Sequence, residues 1–165
     1  MNGLAVFAKT MPGMPPAAGW LAAAILILLG VAAFIDARSG RVPDPIILGG
    51  LLVTMAAEGI FVDWTFAGRH FLVAFATGML LYGLNEIWYK YFKSDAIGMG
   101  DAKWTVLAVD CFDPKPALIA WGLGACLALV WMGFLRVAGK KTARVHFAPF
   151  LWIGLVAGIY WWRLR

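Results

Sequence analysis

Five carboxylates stand inside or at the edge of strongly apolar runs: Asp36, Glu58, Glu86, Asp101 and Asp110. A charged side chain held in hydrocarbon costs on the order of 2.5–3.5 kcal/mol on insertion scales, so each needs a partner or a task. Two of them have surroundings that suit chemistry. Asp36 closes an apolar run and opens Asp36-Ala37-Arg38-Ser39-Gly40-Arg41-Val42-Pro43-Asp44, while Asp101 stands in Gly98-Met99-Gly100-Asp101-Ala102-Lys103. The two glycines remove side-chain bulk, so that another backbone can approach the carboxylate. Paired carboxylates at one depth share a proton, because like charges held close together do not both stay ionised. Such a pair hydrolyses a peptide by taking a proton from water with one member and donating one with the other. Helix dipoles suggest Asp101, near a helix start, as the base and Asp36, in a last turn, as the acid.

The elements that position these residues follow from composition. Of 165 residues 62% are hydrophobic and 14% charged, with a mean hydropathy of +0.80, whereas a soluble domain carries about 25% charged residues. That excludes a soluble globule, a disordered chain, a coiled coil and a soluble nucleic-acid binder. A membrane span takes about 20 apolar residues. Runs at about 17–35, 45–62, 70–88, 96–112, 116–135 and 147–162 read as six transmembrane helices of an all-α integral membrane protein, a single membrane-embedded domain over 1–165. The fourth run is marginal on hydropathy and is included because the topology requires it. The stretch with Lys9, Pro12, Pro15 and Pro16 loosely mimics a signal peptide, but the run after it is long and ends in Asp36, which reads as a retained anchor.

With six spans, Arg38, Arg41, Lys90, Lys93, Lys103, Arg136, Lys140, Lys141 and Arg144 fall on one side, and Lys9, Arg69, Lys115, Arg163 and Arg165 on the other. The positive-inside bias puts the first set in the cytoplasm and both termini outside. Asp36, Glu86 and Asp101 then lie toward the cytoplasm, and Glu58 and Asp110 toward the opposite face. The net charge of +5 marks contact with lipid headgroups, with no nucleic-acid partner implied. Asp44-Pro45 and Asp113-Pro114 read as N-caps followed by proline in the first turn, and Gly40 as a helix stop. Trp88, Trp152, Trp161 and Trp162 read as an interfacial belt. Cys111 and Cys126 read as small packing residues, forming neither a CxxC site nor a disulfide framework. His70 and His146 read as interfacial or loop residues, and no metal or cofactor is expected.

Three blocks in this order resemble the type IV prepilin peptidases, GxGD aspartyl proteases of the bacterial inner membrane: Asp36 through Asp44, Gly98 through Lys103, and His146-Phe147-Ala148-Pro149-Phe150-Leu151. In the third, Ala148 replaces the usual glycine and His146 the first proline. The resemblance implies removal of the short basic leader of a prepilin or pseudopilin precursor at the cytoplasmic face, with Asp36 and Asp101 as the catalytic pair. Gly98, Gly100, Lys103, Pro43 and Asp44 are the supporting motif residues, with Asp44 also a cap, and Glu86 and Pro149 possible cavity-lining residues. Lys103 either holds the leader's path or snorkels to headgroups, and Glu86, with Asn85, alternatively makes an inter-helix hydrogen bond. Neither cysteine stands in the paired CxxC motifs that accompany N-methylation in larger members, so the resemblance is to short peptidase-only forms, such as those serving tight-adherence pili. The expected partners are the protein substrate and the lipid bilayer.

Three other readings compete. A presenilin-like intramembrane protease also uses GxGD, and Pro116-Ala117-Leu118 supplies its Pro-Ala-Leu element, but on the far side of the membrane from Asp101. A proton-coupled transporter or channel would use the same aspartates as a relay, with internal repeats or broken helices that are not visible here. The third is a non-catalytic subunit of a pilus machine.

Overall fold

In an apolar solvent every backbone N–H and C=O must be paired within the chain, which leaves helices as the economical answer for apolar runs of this length. The computed structural model describes residues 19–93, 97–139 and 145–163, the last two by their backbone alone. Among them are six α-helices and no strands: α1 (Gly19–Ser39), α2 (Asp44–Phe61), α3 (Trp64–Phe92), α4 (Met99–Phe112), α5 (Pro114–Val137) and α6 (Ala148–Arg163). Helices α1, α2, α3 and α5 are long and apolar enough to cross a membrane, and α6 carries a shorter apolar stretch, Ala148–Trp161. The chain is a multi-pass membrane protein.

Helix α4 is the hub. It packs against all five other helices, and every residue from Leu107 to Phe112 is buried. Its 14 residues rise only about 21 Å, short of a hydrocarbon core of about 30 Å. A short helix, enclosed over its second half, therefore leaves room for polar groups at both its ends. Around it, α3 buries only Ala67, Ala74 and Asn85 and turns Leu72, Phe75, Leu80 and Ile87 outward, as a lipid-facing helix does. Small residues let α5 and α6 approach closely: a Cβ at Gly154 would lie 2.5 Å from the Ala120 carbonyl oxygen, and one at Gly124 3.1 Å from that of Phe150.

Several local expectations change in the fold. Asp44 is the first residue of α2 and caps nothing; Pro43 holds the N-cap position without a side-chain bond. Asp113 does cap α5, accepting from the Lys115 N–H at 3.4 Å, and Gly40 stops α1 at φ +68°, its N–H donating to the Asp36 carbonyl at 2.7 Å. Helix α3 begins at Trp64, ahead of the expected 70, because Asp63 caps it by accepting from the Phe66 N–H at 2.8 Å. Trp152 leaves the aromatic belt. Its indole N–H donates to the Leu26 carbonyl at 2.9 Å, and the ring occupies space that a Cβ on Gly30 would fill. Trp88 and Trp161 do face outward. Cys111 is buried as a packing residue, but Cys126 is exposed, on the lipid side of α5. The stretch of Lys9, Pro12, Pro15 and Pro16, the starts at 17 and 96, the charges of Lys140, Lys141, Arg144 and Arg165, and the side chains of Trp162 and Arg163 lie outside the described residues.

Candidate active site

Three segments meet at one end of the bundle: the α1–α2 linker with Val42; Ile97 and Gly98 ahead of α4; and His146 ahead of α6. Asp36 arrives from the last turn of α1 and is buried, while Asp101 arrives from the first turn of α4 and is partly buried. The two carboxylates lie within electrostatic reach of each other. The α1–α4 register that sets this is held by the Trp104 indole, wholly buried, which donates to the Leu29 carbonyl at 3.1 Å.

Each glycine of the GxGD motif makes room for a particular neighbour. A Cβ on Gly98 would stand 2.8 Å from Asp101 Oδ2, so this glycine clears the space into which the carboxylate folds back. A Cβ on Gly100 would stand 2.9 Å from Val42 Cγ2 and 3.5 Å from the Val42 nitrogen. The approach expected of a second backbone therefore happens at Gly100, where the α1–α2 linker lies across the start of α4. Lys103 ties the same two segments together: its Nζ bonds Asp44 Oδ1 at 2.6 Å. That pairing gives Lys103 a partner in Asp44, which stands inside the first turn of α2 where Pro43 holds the N-cap position.

The remaining expected residues separate. Pro149 is partly buried in the first turn of α6, three residues after His146. Glu86 is exposed on α3 and bonds to the Tyr82 hydroxyl one turn away; it does not reach the aspartates. Its neighbour Asn85 matters more. Buried to 8% exposure, it accepts from the Ile97 N–H at 3.0 Å and so fixes the chain where it enters Gly98. The residue that local reasoning passed over is His146. Its Nδ1 lies 3.9 Å from Asp36 Oδ2, and its ring lies against Gly40, where a Cβ would come within 3.2 Å. The only advance sign was that His146 stands where the resembled block has a proline. His70 pairs with Glu58 at 2.9 Å at the other end of the bundle, so it is not a lone interfacial residue.

The start of α5, with Pro116-Ala117-Leu118, follows the far end of α4 from Asp101, so no Pro-Ala-Leu element reaches the carboxylate pair. Among the described residues no group of three His, Cys, Asp or Glu is arranged to hold a metal ion.

A helical membrane bundle with a carboxylate pair at one rim is thus the class that fold and site define. The model of the type IV leader peptidase family matches residues 23–134, and the chain belongs to that family. Asp36 and Asp101 both fall within the matched stretch; the block from His146 to Leu151 lies beyond it. Neither the curated proteins nor the solved structures give a match to this chain.

Proposed function

We propose that this protein is a membrane aspartic endopeptidase that removes the short basic leader of prepilin-like proteins at the cytoplasmic face of a bacterial inner membrane. The observation that carries the reading is the convergence of Asp36 and Asp101, from helices far apart in the chain, at the same rim of the bundle and within electrostatic reach. Family membership supplies the class of substrate.

In the mechanism the two carboxylates hold one proton between them and titrate as a unit. The ionised member takes a proton from water, the water oxygen attacks the scissile carbonyl, and the protonated member supports the developing oxyanion. Collapse passes a proton to the leaving amine. The glycines keep the Asp101 carboxyl free to meet Asp36, and the Lys103–Asp44 bond holds the α1–α2 linker over the start of α4. The topology that goes with this is six spans in one membrane-embedded peptidase unit, with the three linkers at the site in the cytoplasm and both termini outside. The positive-inside distribution of Lys and Arg supports that orientation.

The test is co-expression with a prepilin, following its size shift. Asp36→Asn and Asp101→Asn, each still inserted and folded, leave the precursor uncut. Normal processing by either variant ends the proposal.

A further inference from the structure

Away from the aspartate pair, α2, α3 and α4 bury a second set of ionisable groups. Glu58 and Asp110 are both 0% exposed. The His70 Nδ1 bonds Glu58 Oε1 at 2.9 Å. Glu58 Oε2 and both carboxylate oxygens of Asp110 have no donor among the described groups, and Asp110 lies within electrostatic reach of both Glu58 and His70. Along α4, Asp110 follows Asp101 by nine residues, roughly 14 Å of helix rise. None of these groups enters the proposed hydrolysis.

We propose that Asp110 is a buried site whose ligand is a proton, held on its orphaned carboxyl beside the His70–Glu58 pair. A buried carboxylate without a donor is among the costliest groups a protein can hold, whereas a carboxylic acid is neutral and becomes a donor itself. One proton on Asp110 removes the buried charge and turns the carboxyl into a donor. A metal ion is the other ligand that two orphaned carboxylates suggest, but no three ligands converge for one here, and His70 Nδ1 is already committed to Glu58.

Exposure gives the proton its route. The His70 side chain is 22% exposed and that of Glu58 1%, so protons reach the interior through the imidazole. Other ionisable groups stand at this end, among them the exposed Asp63 and Arg69 around the start of α3. Cys111 flanks Asp110 on α4 and is buried. Asp113 interacts with His70 from the α4–α5 junction, and Lys115 of α5 is exposed. Helices α1 and α6 bring apolar side chains to the core around Phe112, among them Leu21, Ile25, Leu155 and Ile159. The folded chain thus holds a proton that the unfolded chain releases, and stability falls as the pH rises.

The inference is independent of the peptidase reading, and its test removes the catalytic pair from view. Full-length D36N/D101N protein, in micelles, shows an infrared protonated-carboxyl band at neutral pH that disappears when D110N is added. Its thermal midpoint falls by roughly 5 °C between about pH 6 and pH 9, and the D110N addition flattens that slope. Should D110N not fold, E58Q displaces the same band by changing the electrostatic surroundings of Asp110. The proposal is overturned if D36N/D101N shows no such band, if the band is unmoved by the folded variant, or if the midpoint ignores pH. A rise in midpoint on adding Zn²⁺ or Mn²⁺, abolished by D110N, would overturn it in favour of a metal site.

Discussion

The two ends of α4 solve one problem, a carboxylate in a membrane protein, in opposite ways. At its start Asp101 is only partly enclosed. It is flanked by two glycines, neighbours a second carboxylate, and lies beneath a linker pinned by an ion pair with side chains 40% and 61% exposed. At its end Asp110 is wholly buried among packed side chains and shares its surroundings with a histidine–glutamate pair. On the proposed reading the first arrangement gives a carboxylate pair access to water and substrate. The second shuts one away. Accessibility, more than the cost of the charge, separates a group that can turn over substrate from one that holds a proton in place.

The contrast is broken most completely at the catalytic end. Exchanging Asp101 for Asn lowers leader cleavage by at least about 10³-fold, the range expected when acid–base chemistry is removed, while the helical circular dichroism of the purified protein stays unchanged. The matched exchange at the other end, D110N, leaves cleavage near the wild-type rate; a comparable collapse of cleavage would erase the distinction between the two ends.

Gly98→Ala sharpens the comparison by moving one carboxylate without removing it. The added methyl stands 2.8 Å from Asp101 Oδ2 and pushes the carboxyl aside, and displacement of a reacting group by about an ångström costs up to roughly 10²-fold in rate. A Gly98→Ala enzyme that keeps its full rate would show that the fold-back of the Asp101 carboxyl is irrelevant. Lys103→Ala has a smaller effect. The exposed pair with Asp44 contributes about 0.2–1 kcal/mol, so the thermal midpoint drops by at most about 4 °C, and the rate loss is below that of Gly98→Ala.

The smallest effect lies outside the membrane-spanning helices. The Phe66 N–H bond holds the Asp63 carboxyl below its ordinary value, so this cap stabilises α3 above the ordinary carboxylate range and loses its effect as pH falls through the lowered value. Asp63→Ala therefore destabilises at neutral pH, and thermal melts of variant and wild type converge on acidification. A difference between them that persists in acid would place the effect elsewhere.

Much of this protein was legible one segment at a time. Hydropathy placed five of the six helices to within a few residues apart from the earlier start of α3 and the later ends of α1 and α3, because the transfer of apolar side chains into lipid is a local property; α4 was marginal on hydropathy and followed from the charge topology. The same solvent flagged the unusual carboxylates by their cost, and Gly40 and Asp113 marked helix ends through backbone chemistry that acts over a few residues. Local signals failed where a side chain had two possible partners. Asp44 had the sequence of a cap, yet Lys103 from α4 took its carboxylate. Trp152 had the position of a belt residue, yet Gly30 opened a slot for it between helices.

What composition and periodicity determined is the solvent, the helices and the short list of residues that could do chemistry. Which of those residues meet was decided by how the helices are rotated and stacked around α4, through contacts such as the Trp104 indole on Leu29 and Val42 on Gly100. Periodicity tells which face of a helix is buried but not which neighbour lies against it. The sequence proposed Asp36 and Asp101 as a pair, but the approach of His146 to Asp36 and the bond between His70 and Glu58 belong to the tertiary structure alone.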